Sequence, residues 1–172
     1  HNIDSPWIGT FHSIFAKFLR KHSQLVKLKY NFNILDTDDQ KKLLKQVIEF
    51  CKIDNDVNES IYLNEIQNMK DQKILSNEKL KISKYSSIEG ISDVYKLYQE
   101  RLLEINGVDF GDILLHSYQI LSNNEELRNT YLSYIDHILI DEFQDTNLIQ
   151  YDLIKLLLNK KRNLFCVGDD DQ

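Results

Sequence analysis

Residues 137–147, HILIDEFQDTN, run from an apolar stretch into Asp141, Glu142 and Asp145, and a second acidic cluster, Asp169, Asp170 and Asp171, precedes Gln172. Carboxylates crowded together repel one another, and a hard divalent cation with oxygen ligands offsets that cost. Magnesium keeps several waters and takes one or two protein carboxylates, leaving the rest of its shell to substrate phosphates. The chemistry indicated is metal-assisted attack of water on a phosphoryl group. Asp141 would hold the metal, directly or through water, and Glu142 would position or deprotonate the water. An Asp-Glu pair at a strand end also reads as a solvated cap, so the elements around it decide.

Both clusters follow short, continuous apolar runs, HILID and NLFCVGD, the pattern of strands buried on both faces of a parallel sheet. Between them Asn147 reads as a helix cap, Ile149, Leu153, Ile154, Leu157 and Leu158 as one helical side, and NKKR as positive charge at the C-terminal dipole. Strand, helix and strand at this spacing predict a βαβ unit with parallel strands and a right-handed crossover. Ligands bind beyond the carboxyl ends of such strands, where both acidic clusters fall.

Upstream, PWIGT predicts a brief strand over residues 6–10, feeding a helix marked by Phe11, Ile14, Phe15, Phe18 and Leu19. Thr37 and Gln40 are spaced as a capping box, with Leu43, Leu44, Val47, Ile48 and Cys51 as the stripe behind it. Residues 54–90 are polar, and Ile61, Ile66 and Met69 mark only a weak helix there. Ile91, Val94, Tyr95, Tyr98 and Leu102 mark another helix. NGVDFGD then interrupts the pattern before Phe110, Ile113, Leu114, Ser117, Tyr118 and Leu121 resume it. Changes of period thus divide the chain into parallel-sheet pieces at its two ends and a helical block over roughly 21–108.

The totals fit that division. The 172 residues are 42% apolar and 28% charged with one Pro, enough for one substantial helix-rich domain with an inserted part. A net charge of −6 argues against a dedicated nucleic-acid binder and confines any DNA contact to local patches such as Lys79, Lys81 and Lys84. Cys51 and Cys166 have no partner at metal spacing and read as reduced thiols. WIGTFHSIFAKFL is too short and too polar to span a bilayer, so a cytoplasmic location is expected.

ILIDEFQDTNLIQYDLIKLL closely resembles the Walker B element of the UvrD/PcrA/Rep family of superfamily 1A DNA helicases. FCVGDDDQ is similar to the start of that family's next motif, IGTFHS to its early DNA-contacting motif, and DFGDIL to the segment before Walker B. The four occur in family order. The resemblance implies an α/β fold that is mostly helical: a partial RecA-like parallel sheet of a P-loop NTPase motor domain in residues 1–20 and 109–172, with a large all-helical 1B-like insertion over 21–108. It implies ATP and Mg²⁺ as cofactors, single-stranded and duplex DNA as partners, and 3′ to 5′ unwinding in repair or replication restart.

By the same resemblance Asp141 coordinates Mg²⁺ and Glu142 is the catalytic base. Gln172 senses the γ-phosphate, and Gln144 and Asp145 support its coupling to DNA. Thr10, Phe11 and His12 lie on the single-strand path, where an aromatic face stacks on a base and a hydroxyl or imidazole reaches a phosphate. No G-x-x-x-x-G-K-[ST] occurs in the sequence, so the phosphate-cradling loop is missing. The chain then reads as a piece of a longer helicase, inactive as an ATPase by itself. Two rivals stand beside this reading: the helicase subunit of an AddAB/RecBCD-type helicase-nuclease, and a non-catalytic helical interaction module with a decayed motor motif.

Overall fold

The computed structural model describes residues 7–53, 58–158 and 164–168. Helix α1, Phe11–His22, starts where Thr10 adopts an extended conformation and its Oγ1 accepts the Ser13 N–H at 3.2 Å, a side-chain cap on an otherwise orphaned donor. Arg20, Lys21 and His22 close the helix at its negative end. The strand expected over 6–10 does not form in its described part, Trp7–Thr10. The Thr10 carbonyl is committed to Ile14 N–H and Ser13 Oγ, and Gly9 holds φ 152°, which breaks an extended run.

Helix α2, Thr37–Phe50, begins one residue earlier than its expected capping box. Asp36 is the cap, accepting the Asp39 N–H at 2.9 Å, and Thr37 lies inside the first turn. Gln40 is buried and donates Nε2 to the Leu35 carbonyl at 2.9 Å. An Asp caps at least as well as a Thr, and this register turns Leu44, Val47 and Ile48 inward.

The segment that looked least informative carries α3, Glu59–Asp71, and the short α4, Lys79–Tyr85, followed by α5, Ile91–Glu104. Ile66 and Met69 are fully buried as expected, but Ile61 faces solvent. The buried stripe of α3 is Tyr62, Ile66, Met69 and Lys70, at i, i+4, i+7 and i+8. A lysine in that stripe hid its continuity.

Two hydrophobic clusters result. One joins α1 to α6 (Phe110–Asn123), α7 (Glu125–Tyr134) and α8 (Leu148–Leu157), through Phe15, Phe18, Leu114, Leu121 and Leu153. The other joins α2, α3 and α5 through Leu44, Ile66, Met69, Val94 and Tyr98. The chain passes from the first cluster to the second between Phe32 and Leu35 and returns between Leu102 and Val108. At that crossing two short strands, β1 (Asn33–Ile34) and β2 (Gly107–Val108), pair in parallel, Asn33 opposite Gly107. A Cβ at Gly107 would come within 2.8 Å of Leu35 Cδ1, so the glycine that read as an interruption is what lets the two passages touch.

The clusters are bridged by a buried polar knot. Lys70 Nζ, at the end of α3, lies 2.6 Å from Asp109 Oδ2 and 2.7 Å from Asp112 Oδ1, and all three side chains are at most 1% exposed. Asp109 caps α6, and Asp109 and Asp112 form a reciprocal capping box, so the pair's net negative charge sits at a helix N-terminus. Tyr98 Oη and Gln67 Nε2 donate to Asp109, and Gln99 Nε2 donates to Asp112. Burial and the neighbouring Asp112 charge push the Asp109 carboxyl up. Burial works the same way on Asp112, but Lys70, His116 and the Asp109 N–H outweigh it and hold that carboxyl below its ordinary value. Gly111 is required here, because a Cβ would meet Gln67 Oε1 at 2.4 Å and Lys70 Cδ at 2.8 Å.

Removing one partner of such a buried pair leaves an uncompensated charge, at a cost of roughly 3–5 kcal/mol. Lys70→Met is expected to lower the stability of the chain by about that amount in urea denaturation, whereas Lys81→Met, which removes an exposed pair with Glu78, costs under about 1 kcal/mol. Equal midpoints for the two variants would contradict the knot's structural role.

Candidate functional site

Strands β3 (Ile138–Ile140) and β4 (Leu164–Cys166) run parallel on either side of α8 in sequence, with Ile138 opposite Leu164 and Ile140 opposite Cys166. The expected strand, helix and strand are present, with Asn147 capping α8. Gln150 completes a capping box with Asn147 that the sequence reading had not identified. The expectation of strands buried on both faces is not met. Ile140 is buried, but Leu139 is 77% and Phe165 58% exposed. With two strands in this sheet among the described residues, alternate side chains on one face have no second layer to pack against.

Asp141 leaves the end of β3 and Glu142 turns the chain. Glu142 adopts φ 50°, ψ 45°, in the left-handed region, costing of order 1 kcal/mol for a residue with a Cβ. Its N–H donates to Asp141 Oδ1 at 2.9 Å, which fixes the aspartate over the turn. Phe143–Asp145 then form a 3₁₀ turn, closed by Asp145 N–H to Glu142 O at 3.0 Å and stitched to the end of β4 by Phe143 N–H to Val167 O at 3.0 Å. Gln144 Nε2 donates to Glu142 Oε2. Asp141, Glu142, Gln144 and Asp145 are all exposed, as groups meeting a ligand at a strand end must be.

Gly168, at the end of β4, adds a constraint that spacing alone did not reveal. A Cβ there would lie 2.5 Å from Gln144 Oε1, so a glycine keeps room for the amide that holds Glu142. The end of the second strand therefore meets the turn after the first. Asp169, Asp170, Asp171 and Gln172 lie outside the described residues, as does the NKKR segment.

Among the described residues no three His, Cys, Asp or Glu side chains converge as a metal cage. The donor set fits magnesium nonetheless: two exposed carboxylates on adjacent residues supply the one or two oxygens that this ion takes when phosphate and water complete its shell.

The TFH residues sit at the start of α1. Thr10 is exposed and serves as the cap. Phe11 is half-buried against the first cluster, stacked 6.5 Å from Phe15. His12 is half-buried with its ring edge-on to Phe110 at 5.7 Å. Burial lowers the His12 imidazole below its ordinary value of 6.5, and Asp71 opposes that shift. The Asp71 carboxyl is in turn raised by burial, with His12 and a hydrogen bond from Asn147 working against the rise. Asp71 is thus electrostatically linked to His12 at the start of α1 and to Asn147 at the start of α8. Its place in a polar, weakly periodic stretch gave no signal of this.

The family model for the UvrD/REP helicase N-terminal domain matches residues 1–172. The chain is 36% identical over 176 residues to "DNA helicase II" of Haemophilus influenzae, covering 100% of this chain and 24% of that protein. It is 34% identical over 177 residues to "Probable DNA helicase II homolog" of Mycoplasma capricolum, with coverage of 100% and 24%. It is also 34% identical over 167 residues to "ATP-dependent DNA helicase PcrA" of Staphylococcus epidermidis, with coverage of 96% and 23%. The chain spans about a quarter of the length of these relatives.

Burial is the larger influence on the His12 imidazole and disfavours its charged form. An NMR titration of its ring protons is expected to give a midpoint below 6.5. A midpoint above that value would mean that Asp71, not burial, governs the imidazole.

Proposed function

Because the chain belongs to the UvrD/REP helicase N-terminal domain family, we propose that it is the part of a UvrD-like, ATP-dependent DNA helicase that holds the hydrolytic carboxylates and a contact to single-stranded DNA. The observation that carries this reading is the turn at the end of β3. There Glu142, in a left-handed conformation, is exposed beside Asp141 and held by Gln144.

Asp141 holds Mg²⁺, directly or through water. The chemistry supplied by the bound ion is neutralisation of charge on the phosphate oxygens of ATP. Glu142 takes the proton of the attacking water, and the Gln144 amide orients the carboxylate for it. Gln144, Asp145 and Gln172 link the state of the γ-phosphate to the DNA site. Thr10, Phe11 and His12 line the single strand, with duplex DNA ahead of it being unwound in the 3′ to 5′ direction during repair or replication restart. The TFH contact is short-range and polar, consistent with a chain whose net charge is −6.

Residues 1–20 and 109–172 form part of a RecA-like motor domain, and residues 21–108 form a 1B-like helical insertion. The second hydrophobic cluster, from Leu35 to Leu102, falls wholly inside that interval and supports the division. No helix among the described residues is long and apolar enough to cross a membrane.

The test is Glu142→Gln in the intact protein. Turnover of Mg-ATP is expected to fall about 100-fold or more, with nucleotide affinity within a few-fold of the parent because the metal ligand and the phosphate contacts remain. Unimpaired turnover and unwinding would overturn the reading and favour a module whose motor motif has decayed.

A further inference from the structure

Helix α3 closes in a conformation that suits glycine, yet a lysine occupies it. Lys73 holds φ 59°, its N–H donates to the Lys70 carbonyl at 2.9 Å, and the Ile74 N–H donates to the Met69 carbonyl at 2.9 Å. These two bonds make a Schellman closure, whose left-handed residue is ordinarily Gly because a Cβ is strained there. Helix α2 ends in the same way, with Lys52 at φ 55°, its N–H on the Glu49 carbonyl and the Ile53 N–H on the Ile48 carbonyl. The two lysines differ in what their side chains do. Lys52 is exposed to solvent. Lys73 reaches the other hydrophobic cluster, pairing with Asp152 on α8 while its ammonium lies 5.1 Å from the ring centroid of Tyr118 on α6.

The side chains of this pair are only 23% and 17% exposed, so salt screens it less than a surface pair. The turn that presents Lys73 is itself held from both clusters. Ile74 is buried in the second and Leu75 packs against the first, and the Tyr95 hydroxyl donates to the Ile74 carbonyl at 3.0 Å. On the other side, Asp152 lies in α8, whose cap Asn147 follows closely on the 3₁₀ turn Phe143–Asp145.

We propose that Lys73 is a positioning residue: its ammonium, spanning from the end of α3 to Asp152 and Tyr118, holds α8 against the helical block and so sets where the turn carrying Asp141 and Glu142 stands. This inference rests on the function proposed above. Strained backbone persists where the side chain it presents has a task. Helix α8 is a stiff rod of ten residues, so a tilt at Asp152 carries its N-terminal end and the acidic turn with it. The turn is also tied to the end of β4 through Phe143, so losing the Lys73 anchor displaces the turn without releasing it.

The experiment measures ATP hydrolysis by the intact protein, with backbone amide exchange read in parallel. Lys73→Gly relieves the strained closure while deleting the pair, so the melting midpoint is expected to stay within about 3 °C of the parent. Its kcat is expected to fall about tenfold, as for a displaced hydrolytic group, with KM for ATP changed by less than about twofold. The Phe143 and Asp145 amides are expected to exchange faster. Lys52→Gly relieves the same strain at an exposed lysine, and kcat and amide exchange at the turn are expected to match the parent. Exchanging the pair, Lys73→Asp with Asp152→Lys, is expected to recover most of the lost turnover. Asp152→Asn is expected to reproduce the loss, and it decides the matter if Lys73→Gly fails to fold. Unchanged kcat in the folded variants overturns the positioning role. So does an equal loss from Lys52→Gly, which would trace the effect to loosened helix ends. A parent protein that hydrolyses no ATP overturns the function instead, and exchange at Phe143 and Asp145 then still decides whether Lys73 holds the turn.

Discussion

A lysine ammonium with no access to water holds this molecule together. Lys70 is fully buried between Asp109 and Asp112, and burial of that kind is tolerated only when every charge is paired and every remaining lone pair has a donor. The chain meets most of that condition by converging three elements on one point, with Gln99 Oε1 left without a hydrogen-bond partner among the described residues. Helix α3 brings the cation and Gln67, α5 brings Tyr98 and Gln99, and the N-terminus of α6 brings both carboxylates with their capping N–H groups. The Tyr95 and Tyr98 rings lie 5.9 and 5.4 Å from the ammonium and complete its surroundings. Because these elements belong to different hydrophobic clusters, the knot sets how the clusters sit on one another, where two apolar faces alone would allow sliding.

The candidate site inherits its geometry from that arrangement. Helix α6 packs on α1, which carries Thr10, Phe11 and His12, and on α8, which follows the acidic turn. Fixing the start of α6 therefore fixes both. Within the turn the constraint is local: a left-handed Glu142, an Asp141 that accepts its N–H, and hydrogen bonds to the end of β4. The carboxylates stay exposed while the backbone beneath them is held by hydrogen bonds at Glu142, Phe143 and Asp145. Such an arrangement favours charge chemistry on a rigid base.

Much of this was legible in the sequence. The β3–α8–β4 order, the Asn147 cap and the inward faces of α1, α5 and α8 follow from period and capping chemistry, which act over a few residues. The family was legible in HILIDEFQDTN and its companions. What escaped depends on contacts distant along the chain. Lys70 drew no expectation, because the partners that bury it lie 39 and 42 positions away. Gly107 and Gly111 looked like breakers, although both mark close approaches whose partners the sequence does not name. The cap of α2 fell one residue before the expected Thr37, on Asp36, in the register that turns Leu44 and Val47 inward. The open face of β3 and β4 was misjudged because an apolar run records what a strand can bury, not whether a layer is there to cover it.

The central claim is that the polar knot makes two hydrophobic clusters one cooperative unit. Native-state hydrogen exchange tests it most directly, because it reads the opening free energy of each helix separately. The account predicts that the slowest amides of α3, rooted in the second cluster, and of α6, rooted in the first, open with the same free energy and the same denaturant dependence. Amides of α3 that exchange through a separate opening, with α6 still protected, would contradict it.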